Sequence, residues 1–236
     1  MRAIVLAGGR GPRLQSVLPD LPKPMAPIAG RPFLEYILDR LIDGGIENIV
    51  LSVGYKADVI ISHFENRYRG ATLHYSVEHE PLGTGGGIAY ALSLMETAPV
   101  LVVNGDTFLD IDYRELVGWY EEEPSQIAMV LRNVSDVSRY GSVLLSNHRV
   151  TDLIEKGIEG PGLINAGIYI LEPGIFAAFG LSGNFALETD VLQKHCGTLS
   201  PRAFVSDSYF VDIGVPEDYE RAEDELPTVL QETEQR

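Results

Sequence analysis

Apolar runs of strand length alternate along the first half of this chain with segments whose apolar residues recur at helical spacing. That alternation constrains the fold more than any other feature. RAIVLA (2–7) is a continuous apolar run, as expected of a strand buried on both faces, and NIVLSV (48–53), TLHYSV (72–77), PVLVVN (99–104) and QIAMVLR (126–132) follow as strands. Between the first two, Leu34, Ile37, Leu38, Leu41 and Ile42 share one face of a helix over 33–43. Pro32 suits its start, and Gly44 and Gly45 its stop. Further helices are predicted over 57–65, 84–96 and 112–122. Such alternation predicts an α/β fold, a Rossmann-like mixed and mostly parallel sheet flanked by helices. After about residue 133 the pattern changes to short strands (142–145, 164–171, 203–212), two brief helices (174–179, 187–195) and a last helix over 217–225. The expectation is a single domain over 1–225, with halves 1–132 and 133–225 sharing one sheet, and a fraying tail over 226–236.

Charge excludes one class of partner. The chain has 18 basic and 34 acidic residues, a net charge of −16, which argues against nucleic acid but not against a small anion held by local positive charge. No run approaches the roughly 18 apolar residues of a membrane span, and the N-terminus lacks a secretory apolar core, so no membrane association is expected. Cys196 is the single cysteine, which rules out an internal disulfide, fits a cytoplasmic protein and reads as a half-buried structural thiol. A homo-oligomer is compatible with the sequence, which fixes no stoichiometry. Lysine is scarce, with only Lys23, Lys56, Lys156 and Lys194.

In open parallel sheets ligands bind beyond the carboxyl ends of the strands. Three suspicious stretches fall there: LAGGRGPRLQ (6–15), EPLGTGGG (80–87) and Gly105-Asp106. The first lacks the Lys-Ser/Thr of a P-loop, and Leu14 replaces the last glycine of a dinucleotide-binding turn. Gly8, Gly9 and Gly11 remain, able to approach an anion closely, with Arg13 and Lys23 to neutralise it. A plain strand-to-loop turn explains the glycines equally well. Asp106 and Asp212 each close an apolar strand, where they can cap turns or form an oxygen-rich magnesium site with substrate phosphates. Five scattered histidines give no zinc spacing. Glu155 and Lys156 form an isolated charged pair. Asn165 interrupts an apolar stretch and needs a partner, either a sugar hydroxyl or a nearby carbonyl. Glu188 and Asp190 are either the polar face of a helix or ligand contacts.

Taken together, LAGGRGPRL, PKPMAPIAGRPFLEYIL, EPLGTGGG, VVNGDTF, EK, NAGIYI and DIGVPEDY occur in the order found in sugar-1-phosphate nucleotidylyltransferases, a resemblance running from residue 3 to about 222. RYG, GLINAGIYI and DSYFVDIGVPEDY make the chain most similar to the D-glycero-α-D-manno-heptose 1-phosphate guanylyltransferases. The resemblance implies the GT-A-like fold of nucleotide-diphospho-sugar transferases. It also implies transfer of a nucleotidyl group from GTP to heptose 1-phosphate, with Mg²⁺ as cofactor and pyrophosphate as the second product. Asp106 and Asp212 match the family's metal ligands; Arg13 and Lys23 match the residues that hold the triphosphate and the reacting phosphates. Leu6, Ala7, Gly8, Gly9, Gly11, Glu80 and Gly85 match positions around the nucleotide. Gly141, Glu155, Lys156 and Asn165 match positions around the sugar phosphate. GTGGG is also similar to a uridylyl branch acting on N-acetylmuramate 1-phosphate, which keeps UTP as the alternative nucleotide. A non-catalytic nucleotide-sugar-binding subunit would differ by losing the aspartate pair. The departure from the family is Pro12, which stands where it usually has a Gly-Thr-Arg sequence.

Overall fold

The computed structural model describes residues 1–14, 18–95, 98–154 and 157–234. β1 (Arg2–Ala7) opens the chain. A 3₁₀ turn at Lys23–Met25 leads to a short hairpin of β2 (Pro27–Ile28) and β3 (Arg31–Pro32), then to α1 (Phe33–Asp43). Next come β4 (Asn48–Val53), α2 (Ala57–Phe64), β5 (Arg67–Tyr68), β6 (Ala71–Val77), α3 (Gly83–Ser93), β7 (Val100–Asn104) and β8 (Thr107–Leu109). α4 (Tyr113–Glu122) and β9 (Ile127–Val134) complete the first half. The second holds β10 (Ser142–Ser146), β11 (Arg149–Ile154) and β12 (Gly162–Leu171), then a π-helical turn (Leu187–Gln193) running into α5 (Lys194–Leu199). β13 (Arg202–Ser206), β14 (Phe210–Asp212) and α6 (Pro216–Glu234) follow.

One ten-stranded sheet runs in the order β10-β11-β13-β9-β12-β7-β1-β4-β6-β5. β1 is parallel to β4 and β7, and β4 to β6, as the alternation predicts. β12 runs antiparallel between β7 and β9, so the later half of the chain completes the sheet begun by the earlier half. The chain leaves β1 on one side for β4 and β6, then returns to β7 on the other. That reversal opens a crevice at the carboxyl ends of β1 and β7.

β1 is buried on both faces: Val5 joins one apolar cluster with α1 and α6, and Ile4 joins another with α3 and α5. α1 buries Leu34, Ile37, Leu38 and Leu41 of the predicted stripe and leaves Ile42 half-buried, and Gly45 follows its end at φ +82°. Cys196 is buried, its Sγ 3.2 Å from the Val150 carbonyl.

Three expectations change. The predicted strand 203–212 is two strands, because the chain turns at 207–209, where the Ser208 N–H donates to the Ser206 hydroxyl. β14 then leaves the large sheet to pair with β8. The brief helix expected over 174–179 is only a 3₁₀ turn at Ala177–Phe179. The expected fraying tail from 226 is instead helical through Glu234. Tyr219, Ala222 and Leu226 continue one buried stripe, and Leu226 is fully buried despite Pro227 beside it. That burial outweighs the backbone hydrogen bond a proline removes. Among the described residues no helix is long and apolar enough to cross a membrane.

Candidate active site

The crevice brings two strand ends together. The Gly105 N–H donates to the Leu6 carbonyl at 2.9 Å, and a Cβ on Gly105 would lie 2.7 Å from that oxygen, so only glycine permits the approach. Asp106 follows directly. β14 pairs antiparallel with β8 so that Asp212 stands opposite Thr107, which carries the second carboxylate beside the first. Lys23 Nζ bridges them, 2.7 Å from Asp106 Oδ2 and 3.2 Å from Asp212 Oδ1. The Lys23 side chain is 9% exposed, against 38% and 35% for the two aspartates. Burial alone would discharge the lysine, but Asp106 and Asp212 outweigh it and raise its pKa above the ordinary value. Burial also pushes the Asp212 carboxyl up; Lys23 opposes this and Asp106 adds to it. The Gly214 N–H fixes Asp212 Oδ1 at 2.8 Å.

Among the described residues no third His, Cys, Asp or Glu joins this pair as a metal-binding group. Two carboxylates that already converge on one cation offer the hard oxygen ligands Mg²⁺ takes. They leave its remaining positions for phosphate and water. The donor set therefore fits that ion.

Each of the two bridged carboxylates lines a cavity of its own. The smaller, about 520 Å³, is lined by Leu6, Gly8, Gly9, Glu80 and Asp106 among the predicted nucleotide residues. The larger, about 810 Å³, is lined by Arg13, Gly141, Asn165 and Asp212. Arg13 thus lines the cavity of the predicted sugar residues, not the one holding most of the nucleotide set. Ala7 is buried beneath the loop. Gly11, at φ +55°, forms neither wall; its backbone packs on the Lys23 stem, where a Cβ would lie 3.0 Å from Lys23 Cβ. Glu155 and Lys156 lie outside the described residues.

Gly85 sits apart from the other matched nucleotide positions. It lines neither cavity: its N–H donates to the Phe185 carbonyl at 3.0 Å, and a Cβ would fall 2.3 Å from the Phe185 ring. Gly83, Gly85 and Gly86 are small because the segment 183–187 packs on them, whereas a Cβ on Gly87 would meet Glu78 Oε1 at 2.9 Å. Pro12 finds a simple explanation. The Leu14 N–H donates to the Gly11 carbonyl at 3.0 Å, which puts Pro12 at the second position of a four-residue turn. There its fixed φ is favoured and its missing N–H is not needed by the turn.

Sequence reasoning missed several wall residues. Glu78 lines the smaller cavity, held by the Ser52 hydroxyl at 2.9 Å and the Leu82 N–H at 3.2 Å. Its two-residue spacing from Glu80, past the end of β6, was the available signal. Arg139, in the RYG stretch, lines the larger cavity and grips Asp218 of α6 with both terminal guanidinium nitrogens. Glu188 also faces that cavity, whereas Asp190 is taken up by the Ala186 N–H at 2.8 Å and Lys194 at 2.7 Å.

A family model described as nucleotidyl transferase matches residues 2–228. The chain is 42% identical to the D-glycero-α-D-manno-heptose 1-phosphate guanylyltransferase of Aneurinibacillus thermoaerophilus, over 96% of this chain and 98% of that protein. It is 44% identical to the enzyme of that name from Campylobacter jejuni, over 93% and 97% of the two chains. The crystal structure of HddC from Yersinia pseudotuberculosis superposes with a TM-score of 0.85 at 39% identity, over 95% of this chain and 99% of that one. HddC has also been crystallised in complex with GMP-PN, and that structure superposes equally well.

Proposed function

We propose, because the chain belongs to the nucleotidyl transferase family, that it transfers a guanylyl group from GTP to D-glycero-α-D-manno-heptose 1-phosphate, yielding GDP-heptose and pyrophosphate. Nucleotidyl transfer to a sugar 1-phosphate is its reaction class. Guanine and heptose are the finer reading, supported by two similar guanylyltransferases and by the GMP-PN bound to HddC. One observation carries the assignment of the site: Asp106 lines one cavity of ligand size and Asp212 lines another, and Lys23 bridges the two carboxylates.

In this reading the nucleotide occupies the smaller cavity against Leu6, Gly8, Gly9 and Glu80. The sugar phosphate occupies the larger against Gly141 and Asn165, with Glu155 and Lys156 as further sugar-phosphate residues. A sugar-phosphate oxygen bonds to the α-phosphorus while the bond to the β-phosphate oxygen breaks in line, releasing pyrophosphate. The nucleophile is already anionic, so no general base is required. Catalysis consists of aligning two polyanions that repel each other and stabilising the charge that spreads over the phosphoryl oxygens. Lys23, paired with Asp212, and Arg13, which lines the same cavity as Asp212, supply fixed positive charge. Members of this family use a divalent metal; we assign it as Mg²⁺ held by Asp106 and Asp212, where it would neutralise charge on the reacting phosphates.

Glu80 is assigned to the guanine edge, where one carboxylate can accept from N1–H and N2–H together. Glu80→Gln is expected to lower kcat/KM for GTP about tenfold, the scale of one hydrogen bond to a charged group, and to leave the heptose 1-phosphate KM near its starting value. A matrix of four nucleoside triphosphates against heptose, mannose, N-acetylmuramate and glucose 1-phosphates, read by pyrophosphate release, tests the whole assignment. The GTP and heptose 1-phosphate pair should lead every other by at least about tenfold. Turnover led by UTP would overturn the choice of base.

A further inference from the structure

A partly buried chain of hydrogen bonds links the walls of the two cavities. Thr84, in the first turn of α3, lines the smaller cavity, while Glu188 and Asn165 line the larger. The Thr84 hydroxyl donates to Glu188 Oε2 at 2.6 Å and accepts from the Leu187 N–H at 2.9 Å. Tyr169, with no exposed surface, donates its hydroxyl to Glu188 Oε1 at 3.0 Å and accepts from Asn165 Nδ2 at 2.6 Å. Asn165 Oδ1 accepts the Gly167 N–H at 3.0 Å.

The direction of every bond in this chain is fixed. A backbone N–H can only donate, so the Gly167 N–H requires the carbonyl oxygen of the Asn165 amide, which turns Nδ2 toward Tyr169. Tyr169 must then accept there, and its own proton goes to Glu188. An ionised carboxylate only accepts, so Glu188 ends the chain from both directions, one oxygen taken from each side. Asn165 keeps a second Nδ2 hydrogen for a ligand. Thr84 has its proton and one lone pair engaged with the 187–188 segment. Its hydroxyl therefore serves the far cavity, although the residue borders the near one.

We propose that Glu188 is a positioning residue that sets the sugar-phosphate site in register with the nucleotide site, by anchoring Asn165 through Tyr169 and the start of α3 through Thr84. This rests on the assignment of the larger cavity to the sugar phosphate and the smaller to the nucleotide. The corollary is that a change on the nucleotide wall weakens the sugar phosphate.

Calorimetric binding of heptose 1-phosphate and of GTP, each alone, tests this without relying on turnover. Thr84→Val, which keeps the side-chain shape and removes the hydroxyl, is expected to weaken heptose 1-phosphate about tenfold and to change GTP affinity less than about twofold. Tyr169→Phe should do the same, and Thr84→Ser should restore binding. Because both substitutions break one anchor, the Thr84→Val/Tyr169→Phe double variant should lose little beyond either single one. Equal weakening of both ligands, additive losses, or wild-type affinity for heptose 1-phosphate in Thr84→Val would each overturn the proposal. Intact coupling in a protein that releases no pyrophosphate would sink the assigned reaction and leave the anchor standing. Failure of the wild-type protein to bind heptose 1-phosphate at all would end both.

Discussion

Asp106→Asn is expected to lower kcat for pyrophosphate release about a thousandfold at saturating substrates. The substitution keeps the shape of the side chain and removes a hard anionic oxygen from the wall of the smaller cavity, where Asp106 pairs with Lys23. Folding should survive, because Lys23 retains Asp212 at 3.2 Å as its counter-charge. Asp212→Asn should behave alike, with Lys23 held by Asp106 at 2.7 Å. The double variant is a poorer experiment. It leaves a lysine that is 9% exposed without an opposite charge, so lost chemistry and lost fold would be confounded. Single variants assayed over a Mg²⁺ titration, with thermal unfolding as the control for folding, separate the two effects. A kcat within about threefold of wild type at every metal concentration would exclude Asp106 from the reacting centre.

Gly86→Ala should destabilise the protein by about 1–3 kcal/mol, which lowers Tm by roughly 3–10 °C for a domain of this size. The sign is unusual. In an exposed helix interior, alanine is better than glycine by about 1 kcal/mol. Gly86 lies in α3, but a Cβ there would sit 2.2 Å from the Gly183 carbonyl oxygen, a backbone atom that cannot swing aside. Gly118 in α4 is the matched control: it is exposed, a Cβ there would meet nothing within 4 Å, and Gly118→Ala should raise Tm. Unchanged stability in Gly86→Ala would mean that the 183–187 segment does not pack on α3 as described.

The alternation of apolar runs and helical stripes was enough to place β1, α1, β4 and β7 to within a residue or so, because burial on both faces leaves a sequence pattern with few solutions. The placement of a site beyond the ends of β1 and β7 followed from the same pattern, since a doubly wound sheet opens its crevice there. Asp106 was legible as a carboxylate at a strand end. α6 was underestimated because Pro227 reads as a helix breaker, while the burial of Leu226 that overrides it comes from elements far away in sequence.

The chain order of strands, glycines and aspartates pointed to a crevice beyond the strand ends of an α/β sheet, and the family resemblance supplied the expectation that it holds anions. Only the tertiary structure decided which side of it each residue serves. It put Arg13 on the wall of the larger cavity and drew Lys23 between Asp106 and Asp212. It turned Gly85 toward Phe185 and joined Thr84 to Asn165 through Tyr169 and Glu188. Periodicity records what a segment buries, because each turn or pleat repeats the same choice along the chain. A contact between residues 83 or 104 positions apart, such as Lys23 with Asp106 or Thr84 with Glu188, repeats nothing and leaves no such record.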